Sequence, residues 1–213
     1  ISNFNSHTSE RQRNDRFMVG FLSGDFREHP VLYTLAAVCD HLSNENVEIY
    51  AYSFNDRSTD ALRKQFIKSI DHFIPAESMN NKQVVQHCIE QNIDIAVDLV
   101  GHTKFSRPQI FAQRAAPVQV TYLGYPSTFG GPFMDYIVGD AAVIPRESGK
   151  YFSEKIIRLP ELFFPTNTER APAKRQKDKS HYKLPEDTLI FSCFNNMSIV
   201  TPREYDIWRR LLK

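Results

Sequence analysis

Three short polar segments, each directly after an apolar stretch, carry the residues of this chain that are best suited to chemistry. They read Ser23-Gly24-Asp25-Phe26-Arg27-Glu28-His29-Pro30, Gly101-His102-Thr103-Lys104 and Leu123-Gly124-Tyr125-Pro126-Ser127-Thr128. Histidine and aspartate exchange protons with substrate hydroxyls, and glycine lets a backbone approach closely. In an open parallel sheet, ligands bind outside the carboxyl ends of the strands. The three segments therefore predict one shared cleft.

The elements that must position these segments follow from the hydrophobic periodicity. Apolar runs of strand type occupy residues 17–22, 47–52, 72–74, 93–100, 117–122 and 135–140. Helical spacing is predicted behind Pro30, from Ser58 or Thr59 through Leu62, Phe66 and Ile70, from Asn80, and from Phe105 to Gln113. This alternation predicts an α/β fold with a doubly wound parallel sheet that is covered by helices on both faces.

Composition along the chain predicts four regions. Residues 1–15 are a polar leader, 16–158 a Rossmann-like half, 159–187 a basic, proline-broken linker, and 188–213 the start of a second α/β domain. In the last region we expect a strand from Thr188 to Cys193 and a helix from Pro202 to Leu212. The sequence thus predicts one sheet domain followed by the first strand and the first helix of a second α/β domain.

The bulk composition excludes several classes of protein. The net charge of +1 provides no field for nucleic acid, and no apolar run approaches the ~20 residues that cross a bilayer. The first residues lack the apolar core of a secretion signal. Three widely spaced cysteines indicate buried thiols in a reducing compartment. We therefore expect a cytoplasmic location, with no nucleic-acid or membrane partner.

In this order and strand context, the polar segments resemble the catalytic region of the O-linked N-acetylglucosamine transferase and SPINDLY family. The matching residues are Gly20 to Phe26 with His29-Pro30, Asp98 to Thr103, Arg114 to Val120 with Leu123 to Pro126, Met134 to Ile137 with Asp140, Tyr151 to Lys155, and Phe194-Asn195 with Pro202. The resemblance covers residues 16–213, and the Gly-His-Thr and Gln-Val-Thr forms are similar to the bacterial and SPINDLY branch.

The resemblance implies the first catalytic half of a B-type glycosyltransferase, with most of the half that binds the nucleotide sugar lying outside this chain. The implied reaction moves a sugar, expected to be GlcNAc, from a UDP-sugar to Ser/Thr hydroxyls of a protein. Tetratricopeptide repeats before the catalytic region would present that protein. No Asp-x-Asp pair for a metal-bound diphosphate occurs, so we expect no metal and no cofactor other than the UDP-sugar co-substrate.

The resemblance also assigns site residues. His29 matches the histidine proposed as the family's base, and its ordinary pKa near neutrality suits that role. The expected substrate-binding residues are Asp25, Gly101, His102, Thr103, Leu123, Gly124, Tyr125 and Pro126, and the expected donor-binding residue is Asn196.

Each assignment has a structural alternative. His29 could simply cap the following helix, and Asp25 could cap its own turn instead of orienting His29 or binding a sugar hydroxyl. His102 could be satisfied by backbone carbonyls, and Tyr125 could pack as an ordinary aromatic residue.

One position departs from the family pattern. Aligning Phe194-Asn195 and Pro202 puts Ile199 where the family has a lysine that supports the donor diphosphate, and isoleucine cannot neutralise a phosphate. A degenerate, non-catalytic transferase fold that binds protein or nucleotide is therefore the alternative function. As an isolated piece, the chain is expected to be inactive.

Overall fold

The computed structural model describes residues 16–43, 45–165 and 178–212. The chain divides into two units, Ile1–Glu169 and Arg170–Lys213, which are described separately. The predicted leader and residues 166–177 of the predicted linker lie outside the described residues.

The first unit is built on a seven-stranded sheet in the order β3-β2-β1-β4-β5-β6-β7. The strands are β1 (Phe17–Ser23), β2 (Val47–Ser53), β3 (His72–Pro75), β4 (Ile95–Asp98), β5 (Val118–Thr121), β6 (Tyr136–Gly139) and β7 (Lys155–Arg158). All six neighbouring pairs are parallel. The winding direction reverses between β1 and β4, which makes that pair the switch point of the sheet. The predicted doubly wound parallel fold is confirmed.

Helices cover both faces of this sheet. They are α1 (Pro30–Leu42), α2 (Ala61–Lys68), α3 (Asn81–Glu90) and α4 (Pro108–Ala112). Buried residues of α1 and α2 pack with one apolar cluster on the sheet, and those of α3 and α4 pack with the other. Burial on both faces explains why the strands read as continuous apolar runs in the sequence.

Several boundaries differ from the prediction for local reasons. Helix α2 is capped by Asp60 and not by the predicted Ser58 or Thr59, and the Asp60 carboxylate accepts from the Arg63 N–H at 2.8 Å. The helix also ends before Ile70, which the prediction included. Strand β4 is shorter than the predicted 93–100, because the chain turns directly after its last residue.

Two further differences concern α4 and β7. Helix α4 is shorter than the predicted segment from Phe105 to Gln113. Strand β7 was not predicted, because only Ile156 and Ile157 are apolar between the charged ends of that strand.

The second unit contains a 3₁₀ turn at Lys179–Tyr182, another at Met197–Ile199, and α5 (Pro202–Leu211). Helix α5 begins with a reciprocal capping arrangement between Thr201 and Glu204, and matches the predicted helix. The strand predicted from Thr188 to Cys193 is wrong: that segment has no regular structure. A strand requires a hydrogen-bonded neighbour, and the described residues of this unit provide none.

Candidate functional site

The three predicted segments begin at one edge of the sheet. The register pairs Leu22 with Asp98 and Asp98 with Thr121, so β1, β4 and β5 finish side by side. We call the segments that follow them loop 1 (residues 24–29), loop 4 (99–107) and loop 5 (122–135). Because β1 and β4 flank the switch point, loops 1 and 4 border the place where open α/β sheets bind ligands.

The glycines show how closely these loops approach one another. A Cβ built on Gly24 of loop 1 would lie 2.5 Å from the Cβ of Phe105 in loop 4. A Cβ on Gly101, where φ is +56°, would lie 2.3 Å from the Cβ of Tyr125 in loop 5. At Gly124 of loop 5, a Cβ would meet the Leu99 carbonyl oxygen at 1.8 Å. The three loops therefore form one contiguous cluster that glycine makes possible.

His29 caps helix α1. Its Nδ1 accepts from the Val31 N–H at 3.3 Å, and Pro30 occupies the first helical position. An Nδ1 that accepts a hydrogen bond carries no proton, so the hydrogen-bond geometry assigns the neutral imidazole proton to Nε2. The side chain is 31% exposed. In this conformation, His29 offers solvent a donor at Nε2 and not a free base.

Asp25 lies beside His29 and is held by Arg27. The Arg27 Nη2 donates to Asp25 Oδ1 at 2.9 Å, while Asp25 Oδ2 lies 3.9 Å from His29 Nδ1. The Asp25 N–H donates to Ser23 Oγ at 3.0 Å. The sequence did not point to Arg27, whose ion pair keeps the second carboxylate oxygen of Asp25 close to the His29 ring.

His102 has a fixed tautomer. Its Nε2 lies 2.8 Å from the Phe129 carbonyl oxygen, and a carbonyl only accepts, so Nε2 must carry a proton. Its ring packs against Tyr125 and Phe129, with centroids 5.4 and 4.7 Å away. Thr103 donates from Oγ1 to the Val100 carbonyl at 2.8 Å. One ring nitrogen of His102 is therefore bound by a backbone carbonyl, as the structural alternative for this residue states. The side chain as a whole is nevertheless exposed.

Asp98 is a buried carboxylate beneath loop 4. It accepts from the Val100 N–H at 3.2 Å and the Gly101 N–H at 2.7 Å. Burial raises the pKa of Asp98 to about 6, although both backbone bonds and the nearby His102 oppose that rise. Its two bonds turn the chain where β4 ends, and they hold Gly101 against loop 5.

Loop 5 begins with strained backbone. Leu123 is buried with φ of 70°, and the Gly124 N–H donates to the Tyr122 carbonyl at 2.9 Å, closing a three-residue turn. A bulky residue at positive φ is an outlier of the kind that clusters at ligand sites. Pro126 is exposed, and Tyr125 is half-buried against Gly101 and His102.

Glu154, directly before β7, holds the far part of loop 5. Its Oε1 accepts from the Phe129 N–H at 2.5 Å, and its Oε2 accepts from the Thr128 hydroxyl at 2.7 Å. The side chain is buried, with only 5% of the residue exposed. The Tyr-Phe-Ser-Glu-Lys motif is the sequence signal for this residue, but the motif does not indicate what Glu154 contacts.

Asn196 and Ile199 lie in the second unit. Asn196 Oδ1 caps the 3₁₀ turn by accepting from the Ser198 N–H at 3.0 Å. Ile199 ends that turn with 65% of its surface exposed. The structure thus gives Asn196 a local capping contact, and its predicted donor contact stays a prediction.

Metal-ligand clusters and membrane-spanning helices can be assessed for residues 16–43, 45–165 and 178–212, which the structure describes. Across these ranges, no three His, Cys, Asp or Glu side chains come together as metal ligands would. Within the same ranges, every helix falls short of the length and apolar character that a bilayer crossing requires.

Together, the switch-point sheet and its loop cluster define an α/β domain of the class that binds ligands at the carboxyl edge of the strands. The family model for Glycosyl transferase family 41 matches residues 2–177, and the chain belongs to that family.

Individual relatives agree with this membership. The chain is 32% identical over 203 residues to the probable UDP-N-acetylglucosamine--peptide N-acetylglucosaminyltransferase SEC of Arabidopsis thaliana, covering 93% of this chain and 21% of that protein. It is 28% identical over 214 residues to the corresponding probable enzyme SPINDLY of Petunia hybrida, covering 98% of this chain and 22% of that protein. The chain therefore spans about a fifth of the length of these relatives.

A solved structure is also similar. The K341M mutant of the Thermobaculum terrenum O-GlcNAc transferase matches with a TM-score of 0.82 and 32% identity, covering 93% of this chain and 37% of that one. The resemblance to the O-linked N-acetylglucosamine transferase and SPINDLY family is confirmed.

Proposed function

We propose that this chain forms the loop-bearing half of a protein glycosyltransferase that moves GlcNAc from UDP-GlcNAc to Ser/Thr hydroxyls. The observation that carries the proposal is the cluster of loops 1, 4 and 5 at the switch point, in a chain that belongs to Glycosyl transferase family 41. Relatives named as UDP-N-acetylglucosamine--peptide N-acetylglucosaminyltransferases support the donor and the peptide acceptor.

In this proposal the acceptor hydroxyl gives up its proton as its oxygen bonds to the anomeric carbon, and the nucleoside diphosphate leaves with the electrons of the broken bond. His29 and His102 are the imidazoles of the loop cluster, and both are partly open to solvent. The buried Asp25 and Gly101 fix the two loops that carry them. Alignment of the hydroxyl by these loops contributes to the rate because it replaces a bimolecular encounter.

His29 takes the proton only after a change of tautomer. Acceptance at Nε2 requires the neutral ring to carry its proton on Nδ1, which the capping bond to Val31 opposes. Asp25 Oδ2, 3.9 Å away, is the acceptor that stabilises an Nδ1–H when the cap opens. We therefore propose that His29 exchanges its backbone cap for Asp25 when it acts as a base, and that it otherwise donates from Nε2 to the substrate.

The remaining expectations form part of the same proposal. Metal-independent transfer, with only the UDP-sugar as co-substrate, is supported by the lack of an Asp-x-Asp pair in the sequence. A cytoplasmic location is supported by the free thiols of Cys39 and Cys88, which are buried as predicted, and burial raises their pKa values to about 12 and about 11. The prediction of a buried thiol is wrong for Cys193, which is exposed. Upstream tetratricopeptide repeats and the remaining catalytic half are proposed as partners within the full-length protein.

The test is sugar transfer by the full-length protein that carries this chain. Labelled UDP-GlcNAc, UDP-glucose and GDP-fucose are offered with a mixture of cytoplasmic proteins, and label on Ser/Thr is measured with and without a chelator. Transfer from UDP-GlcNAc in chelator supports the proposal. Label from another donor alone would contradict the assignment of GlcNAc as the transferred sugar. Loss of label in the presence of chelator would contradict metal-independent transfer.

The isoleucine at position 199, where the resemblance places a lysine, favours the second candidate, a non-catalytic transferase fold that binds protein or nucleotide. The variant Ile199→Lys restores a cation at this position for the donor diphosphate. Transfer by this variant alone would identify a donor site disabled at one residue. Transfer by neither protein would favour the binding function.

A further inference from the structure

Loop 5 is anchored at a single buried carboxylate. Glu154 accepts from two successive residues, at 2.7 Å from the Thr128 hydroxyl and at 2.5 Å from the Phe129 N–H. A Ser153 hydroxyl contact at 3.1 Å adds a third bond to the same side chain. Phe129 is itself buried, so the residue is held both by its backbone N–H and by the packing of its side chain.

The same residue, Phe129, contacts the site. The carbonyl of Phe129 accepts from His102 Nε2 at 2.8 Å, while its N–H is bound by Glu154. A donor and an acceptor on one residue thus join the buried carboxylate to the exposed imidazole. The ring of His102 also packs at a tilt against the ring of Phe129, with centroids 4.7 Å apart, so movement of Phe129 would shift the imidazole directly.

The tautomer of His102 follows from this connection. With Nε2 committed as a donor, the neutral ring has its lone pair on Nδ1, and within the described residues that nitrogen has no protein hydrogen bond. In His29 the two ring nitrogens have the opposite roles, because Nδ1 accepts a hydrogen bond and Nε2 carries the proton. The loop cluster therefore contains one histidine poised to accept and one poised to donate.

We propose that Glu154 is a positioning residue: by holding Thr128 and Phe129, it fixes the Nε2–H tautomer of His102 and leaves His102 Nδ1 as the acceptor for a substrate hydroxyl. The catalytic consequence rests on the proposed transferase function, but the tautomer does not. Metal-ligating histidines show the same principle, in which a bond at one ring nitrogen determines what the other nitrogen can do.

The first test measures the tautomer by nuclear magnetic resonance on this chain with ¹⁵N-labelled histidine, at a pH where His102 is neutral. Long-range ¹⁵N–¹H correlations distinguish Nε2–H from Nδ1–H, and His102→Gln identifies the His102 signals by their loss. We expect Nε2–H in the native chain, a mixture of tautomers in Glu154→Ala, and the native pattern in Glu154→Gln. The amide of glutamine can accept from Phe129 and donate to Thr128. Glu161→Ala, a nearby exposed glutamate, is the matched control.

Two results would overturn the inference. One is an Nδ1–H tautomer for His102 in the native chain, a measurement that needs no variant. The other is an undisturbed Nε2–H tautomer in a folded Glu154→Ala chain. If that variant does not fold, Glu154→Asp is measured in its place. Its side chain is one methylene shorter and cannot keep both contacts, so an undisturbed tautomer there has the same meaning.

The second test measures transfer kinetics in the full-length protein. Glu154→Ala is expected to lower kcat at least about tenfold, with the KM for the UDP-sugar unchanged and with rescue by Glu154→Gln, because displacement of a positioned group lowers the rate of the chemical step. A general structural defect would instead affect Glu154→Gln and the KM as well. Absence of transfer in every protein would refute the proposed function and leave the tautomer result standing, so the two failures are distinguishable.

Discussion

Asp98 offers a quantitative test of how the end of β4 is built. Its carboxylate is almost fully buried, with 3% of the residue exposed, and burial raises its pKa from the ordinary 3.8 to about 6. The folded chain therefore keeps this proton to a higher pH than the unfolded chain does. Stability is lost as pH rises between the two pKa values, and at about 1.4 kcal/mol per pKa unit the full loss amounts to about 3 kcal/mol.

The perturbation is Asp98→Asn, which removes the titration. Urea unfolding followed by circular dichroism gives the free energy of unfolding of both chains. The native chain should lose about 2 kcal/mol relative to the variant between about pH 4.5 and pH 7.5, since part of the change lies below that range. Asparagine also changes the hydrogen bonds to Val100 and Gly101, but that contribution does not depend on pH.

Asp140 provides a control, because its pKa shift, and so its effect on the pH dependence of stability, has the opposite sign to that of Asp98. Its carboxylate accepts from the Val143, Phe163 and Ala142 N–H groups, in that order of effect, and these bonds lower the pKa of Asp140. Its contribution to stability is present above the ordinary pKa and is lost as pH falls towards the folded value. A difference between native and Asp98→Asn chains that stays constant across the pH range would refute the reasoning about Asp98.

Three further predictions concern the stability of loops 1 and 4 and of strand β5. Gly101→Ala should unfold at least about 1 kcal/mol more easily than Gly130→Ala in urea; both residues have positive φ, but only Gly101 would place its Cβ against a neighbour. Gln119→Leu should cost about 2 kcal/mol or more, because its fully buried amide binds three backbone groups, and its loss takes the acceptor of the Ala115 N–H away. His29→Ala should cost about 1 kcal/mol and His29→Asn much less, because asparagine also caps helices. Equal unfolding energies within any of these comparisons would contradict the contact named for it.

Much of the sheet was predictable because its strands are buried on both faces. Strand β1 carries an apolar run from Phe17 to Leu22, β2 carries one from Ile49 to Tyr52, and Pro30 marks the start of α1 in the sequence itself. Strand β7 was not predictable in this way, since its edge position leaves charged ends in solvent. The run from Thr188 to Cys193 has strand composition without a neighbour to pair with, and composition alone cannot reveal that difference.

The site was predictable in its residue types and only partly in its connections. Glycines after consecutive strands located loops 4 and 5, but the tautomers of His29 and His102 depend on which backbone group each ring nitrogen meets. Glu154 acts on a residue 25 positions away in the sequence, a contact that only the fold creates. Local sequence therefore predicts where the loops lie, and tertiary hydrogen bonds determine what their side chains can do.

The central claim is that loop 1 contributes a chemically active imidazole to a transferase site. The most direct measurement compares kcat for label transfer from UDP-GlcNAc by the full-length native protein and by His29→Asn, which keeps a capping side chain on α1 but has no imidazole. His41→Asn, an exposed histidine near the other end of the same helix, is the control. We expect a loss of about 100-fold or more for His29→Asn, within the usual range for proton-transfer groups, and no change for His41→Asn. Native kcat in a folded His29→Asn protein would contradict the claim.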